Sequence, residues 1–365
     1  MNRVAWTLAG WMLIGSVVWA DDVVSFREPG QKKDQDLEGV IEQESPAGVK
    51  LKTKAGVKDI PAAQITQVAY ENKTVDKLSF RKPFTNESHA KEATGAKKID
   101  LLKSALVGFE ELDTKLRGDT KIHRYLQFKI ANTKALLAKE DTSQRDGAIA
   151  ALSEYKTGFS DGWEIVPALQ RLAQLQEEKG DAPAASQTYA DLAEVPGISA
   201  TMKLQAQLRG AQLLLRVNKF ADAETKLNQL AATMPKEDPQ RMLVDVYLVQ
   251  SQIAQKRYTG VEEKLQAAIR ASEDKTLRAL AHNFLGDYYR IKKELDRAFW
   301  EYLKVDTMYN QDKEEQAKAL YYLSQLFDIP KNDPARAAEC LAKLKLPQFD
   351  GTLYQRMASE EKKTP

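Results

Sequence analysis

Apolar residues recur at helical spacing through most of the chain. After Lys97, large apolar side chains appear every three or four residues, which is one stripe of an amphipathic helix. They are Ile99, Leu102, Leu106, Phe109, Leu112 and Leu116. Gly118 follows as a stop signal, and the alternation typical of strands does not return downstream. The pattern therefore predicts helices from residue 97 almost to the end of the chain.

A different pattern precedes this region. The segments LEGVIEQE, GVKLKT and QITQVAYE are short and β-branched or alternating, and turn signals such as Pro46-Ala47-Gly48 and Gly56 separate them. Such runs are typical of strands, and residues 23–26 suggest an earlier one. We therefore expect four or five strands in residues 21–71, forming a small β-barrel domain.

The segment between the two regions has no clear period. Residues 72–96 contain Pro83, Asn86 and Gly95 and lack a regular apolar stripe, so they predict a linker or a short irregular helix. At the other end, residues 347–365 follow the last periodic segment. They are expected to form a C-terminal cap and a flexible tail.

The helical region contains an internal repeat. Small or modest residues lie 38, 38, 37 and 38 positions apart, and we call them the anchors: Ala173, Ala211, Val249, Gly286 and Ser324. A second small residue follows each anchor after 12 positions, or after 13 in the last copy. These are Ala185, Ala223, Val261, Ala298 and Ala337. A weaker copy contains Leu136, Ala148, Leu152 and Tyr155.

The repeat has a simple physical interpretation. Two antiparallel helices approach closely only where side chains are small, so each anchor marks a helix crossing and the later small residue lies opposite it. Short polar turns such as EKGDAP and KKELD separate the two helices. One hairpin cannot bury its own apolar face, and neighbouring hairpins must therefore stack. The sequence predicts an array of helical hairpins over residues 97–346.

The stretch LGDYYRIKKELDRAFWEY, residues 285–302, resembles the tetratricopeptide repeat family. The resemblance covers residues 120–346 and implies a mainly α fold, an α-solenoid of helical hairpins. Two features depart from the family. The period exceeds the usual ~34 residues, and the leading tryptophan is replaced by Leu169, Gln207, Asp245, His282 and Leu320. Upstream, EGVIEQESPAGVKLKTKAGVKDIPAAQITQVAYE is similar to small Sm-like or SH3-like barrels, with a closing I-P-x-x-x-I segment.

The family resemblance also implies a binding groove. The residue after each anchor faces that groove in the family, and here four of the five are glutamine: Gln174, Gln212, Gln250, Asp287 and Gln325. Glutamine carries both donors and an acceptor, so this row could pair with the backbone of an extended peptide. The residues four positions earlier, Gln170, Leu208, Val246 and Tyr321, do not supply the family's clamp for a terminal carboxylate. The alternative is that glutamine is simply a good helix former on a wet surface.

The first twenty residues, MNRVAWTLAGWMLIGSVVWA, have the features of a signal peptide. Arg3 precedes an uncharged run, Val18-Trp19-Ala20 forms a cleavage site, and the mature chain would begin at Asp21. The alternative is an uncleaved membrane anchor. We expect an exported protein, periplasmic or extracellular, with no membrane-spanning segment after cleavage. The single cysteine, Cys340, is either a small buried residue or a cross-link between two chains.

Composition and charge narrow the function further. The chain is 43% hydrophobic and 29% charged with a net charge of +2, which does not suggest nucleic acid as a partner. Residues 34–41 imitate the start of a calcium loop, but Ser45 stands where a glutamate is needed. His89, His123 and His282 have no ligand spacing for zinc, and no catalytic motif occurs. We therefore expect no cofactor, no metal and no enzyme activity.

The resulting hypothesis is an exported scaffold or adaptor that binds protein or peptide partners along a groove of the helical repeats. The alternative is a structural component of the cell envelope that self-assembles or associates with the wall. An enzyme with scattered catalytic residues is the third option. Light scattering on the mature chain separates the first two, because an obligate assembly does not run as a monomer.

Overall fold

The computed structural model describes residues 22–235 and 238–361. The predicted signal peptide, Asp21 and the last four residues lie outside this range. The chain forms two units. Unit 1 consists of residues up to Lys179 together with Val195–Ile198, and unit 2 consists of Gly180–Glu194 and Ser199 onward. The boundary therefore falls in the turn of one predicted hairpin.

Unit 1 begins with five antiparallel strands. They are β1 (Asp22–Phe26), β2 (Gln35–Ser45), β3 (Gly48–Thr53), β4 (Gly56–Pro61) and β5 (Ile65–Ala69). Their order in the sheet is β4-β3-β2-β1-β5, so the first strand pairs with both the second and the last. A 3-10 turn, Ala62–Gln64, joins β4 to β5. The predicted strands are confirmed as one antiparallel sheet, while its closure into a barrel stays a prediction.

The alternating pattern of these strands decides which side chains form the core. Val24, Leu51 and Val68 are fully buried, and polar neighbours along each strand face outward, as alternation requires. Gly48 has no room for a side chain, because an added Cβ would lie 2.1 Å from the carbonyl oxygen of Ile60. The β2–β3 turn therefore brings the backbones of β3 and β4 close together.

Helices α1–α5 complete unit 1. They are α1 (Lys77–Glu92), α2 (Gly95–Leu116), α3 (Thr120–Glu140), α4 (Arg145–Gly158) and α5 (Ile165–Lys179). The prediction of a linker or short irregular helix at residues 72–96 differs from the structure, which has a regular 16-residue helix there. Asp76 caps it, and Phe84 packs against Phe109 of α2 at a ring distance of 4.9 Å. A few apolar positions are enough to bury one face of α1 because large aromatic side chains occupy them.

Unit 2 consists of helices alone in its described part. They are α6 (Ala182–Ala193), α7 (Ala200–Arg216), α8 (Phe220–Thr233), α9 (Pro239–Ala254), α10 (Val261–Ala271), α11 (Lys275–Ile291), α12 (Leu295–Met308), α13 (Lys313–Asp328), α14 (Pro334–Leu344) and α15 (Leu353–Glu361). The predicted fold class, mainly α with an N-terminal all-β part, is confirmed. Residues 353–361 of the predicted cap and tail are helical, and Tyr354 packs on Tyr321 of α13 at 5.5 Å.

The packing of unit 2 follows the repeat. Its anchors lie on the first helices of the hairpins, α7, α9, α11 and α13, and the later small residues lie on the second helices. All five anchors and all five later residues are buried. Gly286 shows why the slot is small, because an added Cβ would lie 2.7 Å from the ring of Tyr302 on α12. The helix crossing predicted from the spacing is therefore present at this hairpin.

A left-handed residue ends each first helix and recurs with the same period. This residue has a positive φ and lies seven positions after the anchor in four copies and eight in the last. These residues are Gly180, Asn218, Lys256, Lys293 and Asn332. In the α11–α12 turn the next amide, that of Glu294, donates to the carbonyl of Tyr289 at 2.8 Å. This left-handed end turns the chain back sharply. The second helix begins two residues later in four of the hairpins and five residues later in the α9–α10 hairpin.

Candidate functional site

The candidate site is a set of side chains that connects successive first helices of unit 2. We call it the first-helix strip: Gln212 of α7, Tyr247 and Gln250 of α9, Asn283, Phe284 and Asp287 of α11, and Glu315 and Lys318 of α13. Anchors and their apolar neighbours face the hairpin partner, so on α7, α9 and α11 the residues one position after and two or three positions before the anchor are turned toward the next first helix. On α13 the strip residues lie further from the anchor, near the start of the helix.

The strip begins with a contact between α7 and α9. Gln212 Nε2 donates to Tyr247 Oη at 2.7 Å, and the Tyr247 ring packs edge-on against Phe284 at 6.4 Å. Burial, together with the charge of Glu315, raises the pKa of Tyr247, so the phenol keeps its proton. Because its oxygen accepts the bond from Gln212, that proton can be donated to a ligand.

A buried ion pair continues the strip between α11 and α13. Lys318 Nζ donates to Asp287 Oδ2 at 2.5 Å and lies 4.9 Å above the Phe284 ring. Tyr302 Oη donates to the other carboxylate oxygen of Asp287 at 2.7 Å. Burial lowers the pKa of Lys318, but the Asp287 carboxylate outweighs it and the net pKa is raised. The lysine therefore stays charged.

Asn283 adds an unsatisfied acceptor to the same helix. Its Nδ2 donates to the backbone oxygen and to Oε2 of Glu315, at 2.9 and 2.6 Å. Its Oδ1 is buried and has no hydrogen-bond partner among the described residues. Burial raises the pKa of Glu315. The strip thus combines neutral donors and acceptors, one internally neutralised ion pair, and the carboxyl group of Glu315, which is bonded to Asn283.

The five residues predicted to form a glutamine row have different surroundings. Gln174, in unit 1, donates to Glu178 Oε1 at 3.1 Å, and Gln212 is bonded to Tyr247. Gln250 is partly buried, and its amide has no hydrogen-bond partner in the described ranges. Asp287 is paired with Lys318, and Gln325 is exposed. Equal spacing did not produce equal environments, and the binding role of the row stays a prediction.

Sequence reasoning missed the aromatic part of the strip. Tyr247 and Phe284 lie two positions before their anchors, as does Tyr322, and this offset could have been recognised. Asn283 occupies the position equivalent to Leu208 and Val246 and also went unnoticed. The repeat spacing did not mark Lys318 as a strip residue, because its partner, Asp287, belongs to another hairpin.

Two of the three histidines singled out in the sequence have side-chain partners. His123 Nδ1 lies 2.5 Å from Asp113 Oδ1, and His282 Nδ1 lies 2.6 Å from Glu301 Oε2 while its ring stacks on Tyr309. The segment that imitates a calcium loop runs into β2. Among residues 22–235 and 238–361, no group of three His, Cys, Asp or Glu side chains is placed to hold a metal ion.

Adjacent aromatic residues of α12 differ in exposure. Phe299 is buried against Phe327 at a ring distance of 5.0 Å, whereas Trp300 is 56% exposed. Cys340 is partly buried, and burial raises the pKa of its thiol to about 11. None of the helices in the described part of the chain has the length and apolar character needed to cross a membrane.

Comparisons with known proteins give only distant similarities. No model of a known protein family matches the chain, and no curated protein matches it. A tetratricopeptide repeat protein from Parabacteroides merdae is similar over 76% of this chain and 98% of its own, with 15% identity and a TM-score of 0.49. BtubC from P. vanneervenii is similar over 66% of this chain and 93% of its own, with 14% identity and a TM-score of 0.38.

The third similar structure is PilF of Pseudomonas aeruginosa. It is similar over 65% of this chain and 99% of its own, with 16% identity and a TM-score of 0.36. All three TM-scores lie below 0.5. Neither the family nor the function of this chain follows from them.

Proposed function

We propose that this chain is an exported, non-enzymatic scaffold that binds an extended segment of a partner protein on the first-helix strip of unit 2. The observation that carries the proposal is the combination on α9 of a free amide, Gln250, and an available phenol proton, Tyr247. An extended peptide presents a carbonyl or an amide at every residue. A side chain with donors and an acceptor can pair with such a backbone whatever its sequence.

The electrostatics of the strip support a neutral ligand segment. The one charge pair, Asp287–Lys318, is already neutralised internally, and both groups hold further partners. Glu315 is the other ionisable group of the strip, and burial raises its pKa, which favours the uncharged form. Tyr247 is partly exposed and adds apolar area beside Gln250, where a ligand side chain can be buried. The expected ligand is therefore an uncharged extended segment with an apolar or aromatic residue, rather than an acidic or basic tail.

Export is part of the proposal. It rests on the uncharged run after Arg3 and on the Val18-Trp19-Ala20 site, followed by two aspartates. Closure of the five-stranded sheet into a barrel and membership of the tetratricopeptide repeat family are likewise proposed, the second on the repeat spacing and the left-handed hairpin turns.

The test starts from a random peptide library displayed on phage and panned against the chain that begins at Asp21. For a selected peptide, fluorescence anisotropy measures Kd for the unchanged chain, for Gln250→Ala and for Tyr247→Phe. Loss of one hydrogen bond of ~0.5–1.5 kcal/mol weakens binding about 2- to 13-fold. Gln266→Ala on the second helix α10 is the matched control and should bind like the unchanged chain.

Two outcomes contradict the proposal. Either panning returns no peptide that binds in solution, or both strip variants melt normally and bind as tightly as the control. A variant that melts at a lower temperature is repeated below its transition, so that lost folding and lost binding are separated.

A further inference from the structure

A buried charged cluster in unit 1 lies where the β-sheet meets the helices. We call it the Arg124 cluster, and its members are Glu44, Tyr70, Arg124, Trp163 and Glu164. Glu44 is near the end of β2 and Tyr70 directly follows β5, while Arg124 belongs to α3 and Glu164 directly precedes α5. The cluster therefore joins the sheet to two different parts of the helical layer.

One guanidinium connects two carboxylates. Arg124 Nη2 donates to Glu44 Oε2 at 2.6 Å, and Arg124 Nε donates to Glu164 Oε2 at 3.1 Å. Tyr70 Oη donates to the other oxygen of Glu44 at 2.5 Å. Gly162 makes room for this arrangement, because an added Cβ would lie 2.2 Å from both Arg124 Nε and Glu164 Oε2.

The two carboxylates are not equally supported. Each oxygen of Glu44 accepts a hydrogen bond, whereas Glu164 Oε1 is buried without a partner among the described residues. The side-chain exposures are 9% for Arg124, 3% for Glu44 and 0% for Glu164. With both acids ionised, the cluster carries one uncompensated negative charge away from water, which is costly. A proton on Glu164 removes that charge with less loss of hydrogen bonding than a proton on Glu44, because Glu164 Oε1 accepts no hydrogen bond from the described residues.

The surrounding titratable groups do not take over this role. Burial raises the pKa of Tyr70, Tyr125 and Tyr155, so all three stay neutral. Burial lowers the pKa of Arg124, but the charges of Glu164 and Glu44 outweigh it and the net pKa is raised. The remaining acids nearby are Glu87, which is paired with Lys129, and the exposed Asp161.

Burial raises the pKa of Glu164 to about 7, with Arg124 opposing the rise and Glu44 adding to it. The folded chain therefore holds this proton more tightly than the unfolded chain does. The stability that Glu164 contributes is fully present below its unfolded pKa and is lost as pH rises through the folded value. The pH window of the effect runs from about 4.5 to about 7.

We propose that protonation of Glu164 controls how firmly the five-stranded sheet is held on the helices of unit 1. The sheet is held firmly when Glu164 is neutral, and it opens more often when Glu164 is ionised. A second bond at the same interface, from the Val68 amide to Tyr125 Oη at 3.1 Å, places a measurable amide of β5 beside the cluster. Its exchange with solvent reports the opening.

The experiment is hydrogen exchange with mass spectrometry on the chain that begins at Asp21, which retains every residue described here. Exchange in peptides covering β1 and β5 is measured at pH 5.5 and 8.5 and corrected for the intrinsic effect of pH. Linkage with a folded value of about 7 and an unfolded value of about 4.5 predicts a loss of protection of about 30-fold. Glu164→Gln keeps the shape and removes the titration, so its protection should be equal at the two pH values.

The matched control is Glu110→Gln, an exposed position on α2, which should keep the full 30-fold ratio. A second measurement does not depend on the folding of the Gln variant. In the chain from Asp21 with Trp300→Phe, Trp163 is the sole tryptophan, and its emission should shift to longer wavelength with a midpoint near pH 7. Equal corrected protection of the unchanged chain at both pH values overturns the proposal, as does an equal loss in Glu164→Gln.

Discussion

Substituting Gly286 by alanine tests the helix crossing on which the repeat is built. The added Cβ would lie 2.7 Å from two atoms of the Tyr302 ring, whereas carbon atoms in contact are normally about 3.5–4.0 Å apart. The ring or the helix must therefore move by about 1 Å. Tyr302 is fully buried and its hydroxyl is bonded to Asp287 at 2.7 Å, so the ring cannot simply swing away.

The size of the effect follows from three contributions. Overpacking of a buried site costs ~1–3 kcal/mol, and weakening a hydrogen bond to a carboxylate adds up to ~1.5–3 kcal/mol. Alanine recovers ~1 kcal/mol because it forms helix better than glycine. These contributions sum to a net loss between about 0 and 5 kcal/mol. We expect a value near the middle, about 2–3 kcal/mol, which lowers Tm by roughly 4–12 °C for a unit of this size.

The assay is thermal and urea unfolding followed by far-ultraviolet circular dichroism. Gly147→Ala is the matched control, because Gly147 also lies in a helix but an added Cβ there meets nothing within 4 Å. It should leave stability unchanged or raise it by up to ~1 kcal/mol. In a Tyr302→Leu background Gly286→Ala should lose most of its cost, since the obstructing ring is gone. If Gly286→Ala behaves like the control, the helices do not cross closely at this position.

Three further predictions concern other parts of the chain. Lys293→Gly should raise the free energy of unfolding in urea by about 0.5–1 kcal/mol, because Lys293 has a φ of 62° that glycine adopts without strain. The reverse kind of change, Gly180→Ala, should lower it. A loss of stability in Lys293→Gly together with a gain in Gly180→Ala would contradict the assignment of these turns. Glu87→Gln should cost about 3–5 kcal/mol because it leaves the buried Lys129 uncompensated, and a melting curve like that of the unchanged chain would show that this pair is dispensable. N-terminal sequencing of the exported protein should begin at Asp21, and a sequence beginning at Met1 would refute cleavage.

The repeat was predictable from the sequence because helix crossings impose a size limit at fixed intervals. Ala223 and Ala298 are fully buried at positions identified from spacing alone. The strands were predictable for a similar reason, since Val24 and Leu51 alternate with polar neighbours. In both cases the determining contacts recur with the period of a local structure.

The remaining features depend on contacts without a local period. The length and regularity of helix α1 were not predicted, because a few buried aromatic side chains, among them Phe84, replace a regular apolar stripe. The Arg124 cluster joins residues 80 and 40 positions apart, and no spacing rule connects them. The Asp287–Lys318 pair links two hairpins, and for that reason the predicted row of groove residues contained only one half of it.

Hydrogen exchange of the chain with and without a peptide selected by panning shows directly whether the first-helix strip binds the partner. If the first-helix strip binds the peptide, exchange should slow in segments covering the strip residues of α7, α9, α11 and α13 and stay unchanged in the five-stranded sheet. Gln250→Ala should reduce that protection in proportion to its loss of affinity. Protection confined to the sheet or to α15, or binding without any change on the first helices, would contradict the claim that the first-helix strip binds the partner.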